Sequence, residues 1–411
     1  MTDTATIQPR SRGLRHIFIG SDGLRAGWSL LLFCLILTVL TIGAVVAGTF
    51  INGKLPHAPA GSEQGVIPSI KGEALTFVVL LVTSWLMSLI ERRPFATYGL
   101  RRARAVPDLI AGMAWGIAML SLLVGMLTLS GALVFDGFAM SGSTALEYGA
   151  AWFFAFCLVG LFEEFLTRGF LQYTLARGVA GIVQAVAPDN KNARTIGFWV
   201  AALVFSVGVF AGGHLANKGE TAMGLVSVAL AGLTFVYVLY RTGSLWWAIG
   251  FHATWDWAQS FLYGVRDSGL AMEGHLLASH PAGAALLSGG DTGPEGSILV
   301  VPTLLLTVFI IHRTLPRRAG RSPHTASASS LRPAPMRPAK PTISPARTEN
   351  DTSSTTFREP STGWKTVQFS TRNFSSPIFG SWSGNRLSSG RPTIARMIRL
   401  SSVSGSSRRM V

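Results

Sequence analysis

The sequence predicts an all-α polytopic membrane protein: about eight transmembrane helices around a polar intramembrane cavity, followed by a disordered C-terminal tail. Three observations carry this. Of the 411 residues, 48% are hydrophobic and only 13% charged, with a mean hydropathy of +0.39, a balance that a soluble domain does not show. Apolar runs of membrane-spanning length recur along the chain, separated by short polar links. Arginines crowd into every second link, the bias that sets orientation in a bilayer.

The first 27 residues are polar and carry Arg10, Arg12, Arg15 and Arg25. Trp28 to Thr49 is continuously apolar. It is long for a signal-peptide core and lacks a cleavage site, so it reads as an uncleaved first span. A polar loop with Pro56, Pro59 and Gly61 leads to a second span, Ala74 to Ile90. After the basic stretch Glu91–Arg104, a third span runs from Leu109 to Val134. The fourth is Tyr148 to Tyr173, and a link with Pro188, Lys191 and Arg194 separates it from the fifth, Ile196 to His214. Met223 to Tyr240 and Leu245 to Tyr263 are the sixth and seventh. A Gly-rich loop, 265–295, precedes a short eighth span, Ile298 to Ile311.

The basic links are the N-terminus, 91–104, 177–194, Arg241 and 313–318. The alternate loops are poor in Lys and Arg. Eight spans with both ends cytoplasmic satisfy this pattern, in a bacterial cytoplasmic membrane. The formal net charge of +15 belongs almost wholly to the tail. Residues 1–312 hold 18 Lys+Arg against 17 Asp+Glu, and residues 313–411 hold 17 against 3. That tail is Ser/Pro/Arg-rich and too polar to bury a core. Its arginines are scattered and suit loose contact with anionic lipid. The partners expected are the lipid bilayer and a membrane-associated peptide or protein substrate, with no nucleic acid. Cys34 and Cys157 sit in apolar runs and read as small packing residues.

Three polar clusters interrupt the spans. Glu163, Glu164 and Arg168 lie inside the fourth. A charge at the centre of a membrane helix costs roughly 2.5–3.5 kcal/mol even on lenient scales, so it is normally there for function. Glu164 and Arg168 are four apart and share a helix face, where they pair. Glu163 is turned about 100° away, free to meet something else. The fifth span ends in Phe210-Ala211-Gly212-Gly213-His214. Helical rise from Arg194 would carry His214 about 30 Å across the membrane, and bringing it inward takes a fifth helix that is tilted or interrupted at Gly212-Gly213. The seventh holds His252 and Asp256, again four apart on one face. Trp255 and Trp257 fall on other faces and read as packing residues. A carboxylate with a histidine polarises water for attack on a carbonyl, and a second histidine can bond the developing oxyanion. The alternative for the same residues is a divalent metal: Glu163, His214 and His252 form a His₂Glu set of the kind that holds zinc. Glu273, His275, His280 and Asp291 in the 265–295 loop read as solvated side chains.

The clusters Glu163-Glu164-Phe165-Leu166-Thr167-Arg168, Phe210-Ala211-Gly212-Gly213-His214 and His252-Ala253-Thr254-Trp255-Asp256 together resemble the CPBP intramembrane proteases, also called the Abi or type II CAAX-protease family. That family's pattern is E-E-x-x-x-R, then F-x-x-x-H, then H-x-x-x-N/D. The resemblance covers roughly residues 75–265. It implies an intramembrane endopeptidase in which Glu163 and His214 activate water, His252 and Asp256 form the oxyanion site, and Glu164 with Arg168 is the supporting ion pair. It implies no obligatory cofactor, with zinc as the alternative. Asp256 stands where the prenyl-protein proteases have Asn. It either orients His252 or is protonated by burial. Two other readings of buried charge remain: a transporter or ion relay, against which stands the lack of an internal repeat, and a non-catalytic scaffold or bacteriocin-immunity protein on the same fold. By composition the chain divides into the N-terminal segment 1–27, a transmembrane protease domain 28–312 with its motif core at 145–265, and the tail 313–411.

Overall fold

The computed structural model describes residues 15–20, 22–52 and 63–316. The chain is an all-α polytopic membrane protein. A short helix α1 (Arg15–Phe18) and the two-residue strands β1 (Ile19–Gly20) and β2 (Gly23–Leu24) lead into α2 (Ala26–Asn52). Then follow α3 (Val66–Glu91), α4 (Ala105–Leu129), β3 (Leu133–Phe138), α5 (Gly142–Glu164), α6 (Gln172–Val186) and α7 (Ala193–Leu203). The remainder is α8 (Ala211–His214), α9 (Ala222–Thr242), α10 (Trp246–Trp257), β4 (Leu277–Pro281), α11 (Ala285–Ser288) and α12 (Val300–Thr314).

Among the described residues, six helical stretches are long and apolar enough to cross a membrane: 26–51, 66–91, 105–129, 142–186, 193–214 and 222–242. The expected seventh span is the helix of α10 and the turn after it; the eighth is α12, a shorter apolar helix. Leu31, Leu35, Val39 and Ile42 of α2 are each 58% exposed, as residues facing lipid must be. The tail beyond residue 316 lies outside the described residues.

Three helices are locally widened by a π turn: Phe165–Leu171 joins α5 to α6, Val204–Phe210 joins α7 to α8, and Ala258–Leu262 continues α10. Such turns insert an extra residue and recur at functional sites. Here each adjoins one of the three polar clusters. The π turn in the fifth stretch lies at Val204–Phe210, before Gly212-Gly213.

The centre of the bundle is α10, packed on α4 and α5. Gly112 and Gly116 on α4 and Gly250 on α10 let the two backbones touch. A Cβ on Gly112 would strike the Trp247 carbonyl, and one on Gly250 the Leu109 carbonyl. In lipid, where burial of apolar surface drives little, this close approach is what holds helices together. Around it Leu120, Leu123, Phe235, Trp247, Phe251, Trp255 and Leu304 form the main core. Glu91 accepts from Arg177 and from Ser29 and forms an ion pair with Arg93, tying α2, α3 and α6 together.

Two expectations need correction. The third span does not extend to Val134: α4 stops at Leu129, and Leu133–Phe138 is a strand paired antiparallel with β4, Leu133 opposite Pro281 and Val134 opposite His280. An apolar run preceding Asp136-Gly137 resembles a helix end until its distant strand partner is known. The 265–295 loop is only partly solvated: His280 and Asp291 are exposed, but Glu273 and His275 are half-buried. Asp267, Ser268, Thr292 and Ser297 in and beside it are buried. It is pinned by Glu273, whose Oε1 accepts from the Val66 amide (2.9 Å) and whose carbonyl accepts from Trp152 Nε1 (2.9 Å).

Candidate active site

The site is built at the three π turns. Glu163 and Glu164 close α5. Glu164 is fully buried and Arg168 nearly so, and Arg168 Nη1 donates to Glu164 Oε1 at 2.7 Å. The Arg168 guanidinium also lies over aromatic rings, 3.9 Å from the Phe210 centroid and 5.6 Å from that of Phe235. Room for it comes from Gly232 on α9, where a Cβ would sit 2.7 Å from Arg168 Nη2. Phe235 and Gly232 are site-building residues that carry no signal in the sequence, because an apolar residue and a glycine in an apolar helix look like any others.

His252 on α10 stands between the acids. Its Nδ1 is 3.1 Å from Glu164 Oε1, and its Nε2 is 3.4 Å from Asp256 Oδ2 and 3.8 Å from Glu163 Oε2. Asp256 is buried, whereas the Glu163 side chain keeps 29% of its surface. His214 comes from the opposite side. Its Nδ1 is 2.8 Å from the Phe210 carbonyl. A carbonyl only accepts, so Nδ1 carries the hydrogen and Nε2 is left as the basic nitrogen. Among the described residues no hydrogen bond or ion pair joins His214 to Glu163. They meet by opening onto the same space.

That space is a cavity of about 510 Å³, within the usual range of small-ligand sites. Glu163, His214, His252 and Asp256 all line it, with apolar walls from Phe156, Val159 and Phe162. Three further acids line it: Glu73 on α3, and Asp267 and Glu295 from the loop before α12. Among the described residues no lysine or arginine does. Glu73 lies one residue outside the apolar run in sequence, but α3 begins earlier, at Val66, and carries it into the bundle. Asp267 and Glu295 are hidden by a Gly-rich stretch that looks solvated. Glu295 accepts from Trp255 Nε1 (3.1 Å) and Ser268 Oγ (2.8 Å), Asp267 from Ser260 Oγ (3.2 Å). Burial first, then Asp256 and Glu295, holds the Asp267 carboxyl well above the usual carboxylate range.

A single zinc ion requires its ligand atoms to converge to roughly 3.5 Å of one another. Glu163, His214 and His252 do not: His252 Nε2 is 3.8 Å from Glu163 Oε2, its Nδ1 is turned to Glu164, and His214 touches neither. As placed, these three do not fit one zinc ion. Of the loop residues, His280 pairs with Asp136 at 2.8 Å across the β3–β4 sheet, both side chains half-exposed, and Glu273 is taken by Val66.

Residues 145–258 match the family described as type II CAAX prenyl endopeptidase Rce1-like. No curated protein and no solved structure matches the chain. The matched segment runs from α5 to the end of α10 and contains all three polar clusters. That segment, residues 145–258 of 411, is similar to the Rce1-like group and supports the resemblance to the CAAX-protease-like (CPBP) family.

Proposed function

We propose that the chain hydrolyses peptide bonds of membrane-associated proteins or peptides, with Glu163 as the general base toward water. One observation carries this reading: Glu163, His214, His252 and Asp256 open onto one cavity among apolar helices. Glu163 takes a proton from water, and the hydroxide forms a bond to the substrate carbonyl carbon. The developing oxyanion accepts from His252. Both ring nitrogens of His252 face carboxylate oxygens, so each is assigned a hydrogen, and Nε2–H is the donor available to the oxyanion. Collapse of the intermediate breaks the C–N bond, and the proton held by Glu163, or passed to His214 Nε2, leaves with the amine. Glu164 holds His252 Nδ1 in place and is itself held by Arg168. Asp256 orients the ring from its other side. No step requires a metal or other cofactor. Both chain ends are assigned to the cytoplasm, as the arginine placement suggests.

The experiment is a comparison of membrane proteomes from cells producing the wild type and the Glu163→Ala variant at equal levels. New peptide termini in membrane proteins should appear with the wild type alone. Identical sets of termini would remove the proteolytic reading and favour transport or a non-catalytic role.

A further inference from the structure

Ser206 is fully buried in the π turn Val204–Phe210, between α7 and α8. Other buried hydroxyls of the bundle bond the carbonyl four residues back in their own helix, as Thr83 does to Val79 (2.8 Å) and Thr307 to Thr303 (2.9 Å). Ser206 makes no such bond: among the described residues its Oγ has no hydrogen-bond partner. Arg168 Nη2, also buried, has none either. A bare hydroxyl and a bare guanidinium hydrogen are each costly in an apolar interior.

Gly232 on α9 shows that the two are neighbours. A Cβ there would lie 2.7 Å from Arg168 Nη2 and 3.2 Å from Ser206 Oγ. A donor and an acceptor, each lacking a partner, therefore border one point. The same π turn ends at Phe210, whose ring lies 3.9 Å from the Arg168 guanidinium. The turn thus meets Arg168 twice, with a ring over the guanidinium and a hydroxyl beside Nη2.

We propose that Ser206 is a positioning residue for the hydrolytic site: its hydroxyl accepts from Arg168 Nη2 and fixes the guanidinium between the acidic and histidine clusters. A hydroxyl can accept one hydrogen bond and still donate another, and a bond from a charged donor is among the strong ones. Ser206 does not line the cavity, so it acts through Arg168. Arg168 Nη1 donates to Glu164 Oε1 at 2.7 Å, and that oxygen is 3.1 Å from His252 Nδ1. A guanidinium held at both Nη atoms keeps Glu164, and through it His252, in one place. The positioning role rests on the reading of the cavity as a hydrolytic site; the contact itself does not.

The test is a double-mutant cycle on the purified full chain, with Ser206→Ala, Arg168→Lys and the double variant. Melting is followed in micelles. Turnover is followed in liposomes, on a substrate identified by the proteome comparison above. The sign of the Ser206→Ala effect is informative by itself. Removing a hydroxyl that has no partner relieves a buried polar group and raises the melting temperature; removing one that holds Arg168 leaves Nη2 bare and lowers it. A lower melting temperature is expected, with kcat down about tenfold and KM unchanged, the mark of a group that serves the reacting geometry and not substrate affinity. Ser206→Cys keeps the size but accepts poorly, and should lose turnover as Ser206→Ala does. In the Arg168→Lys background, where Nη2 is gone, Ser206→Ala should change neither reading, so the two effects are not additive. Additive effects, a melting temperature raised by Ser206→Ala, or wild-type kcat in folded Ser206→Ala or Ser206→Cys would overturn the proposal. A wild type that cleaves nothing would remove the proteolytic reading and the positioning role with it, while the melting cycle would still report the contact.

Discussion

The guanidinium of Arg168 stacks on the ring of Phe210, 3.9 Å from its centroid, while the same group donates to Glu164. One side chain therefore joins the acidic cluster to the first residue of the histidine cluster. Glu164 in turn holds His252. The three clusters are coupled through Arg168 and Glu164, although Glu163 and His214 do not touch.

Arg168→Ala removes both contacts and leaves Glu164 buried without its partner, typically about 3–5 kcal/mol. Low accumulation of folded protein is expected. Arg168→Lys keeps the charge but loses the planar stack, worth about 2 kcal/mol when desolvated, so it should fold and melt at a lower temperature. Melting curves of the two variants check the order. Unchanged melting with selective loss of turnover in either would place Arg168 in substrate binding.

Gly232→Ala tests the same packing from the other side. In a helix interior this change ordinarily stabilises by about 0.5–1 kcal/mol. Here the new methyl would sit 2.7 Å from Arg168 Nη2 and 3.0 Å from Ser206 Cβ, so the sign should reverse. Thermal unfolding in micelles reads it. A melting temperature at or above that of the wild type would show that Arg168 has room to move.

The central acids and histidines were readable because each is a polar residue in an apolar run. Hydrocarbon makes that costly, so Glu163, Glu164, Arg168, His252 and Asp256 stand out without any knowledge of the fold. The i to i+4 spacings of Glu164 with Arg168 and of His252 with Asp256 also follow from helix period alone, and the structure pairs both at 2.7 and 3.4 Å. Residues whose role depends on distant chain were not readable. Asp267 and Glu295 look like loop residues until the loop folds back on α10. Leu133–Phe138 looks like the end of a span until β4 pairs with it. The π turns leave no trace, since Val204–Phe210 is as apolar as the helix before it.

Topology is checked by reporter fusions. Fusions in 136–147 and 265–295 should read extracytoplasmic, and one in 178–192 cytoplasmic, as the arginine placement requires. An extracytoplasmic signal from 178–192 would contradict the eight-span arrangement.

Asp256→Asn separates orientation of His252 from a need for charge. The amide keeps the side chain's size beside His252 Nε2, 3.4 Å from Asp256 Oδ2, and its nitrogen adds a donor toward the oxyanion. Turnover within about tenfold of the wild type is expected, far less than the 10²–10⁴-fold typical of losing an acid–base group. Abolished turnover in a folded variant would show that the negative charge is essential.

The central claim is that the Glu163 carboxylate activates the water. Its direct measurement is the single-turnover cleavage rate of wild type and Glu163→Gln, reconstituted in liposomes with a substrate identified from the membrane proteome. Glu163→Gln keeps size and packing but removes the basic oxygen. The rate should fall about 10²–10⁴-fold with unchanged melting, and the zinc-selective chelator ortho-phenanthroline should leave wild-type turnover intact. Cleavage by folded Glu163→Gln at the wild-type rate, or wild-type activity lost to ortho-phenanthroline and restored by zinc, would contradict the account.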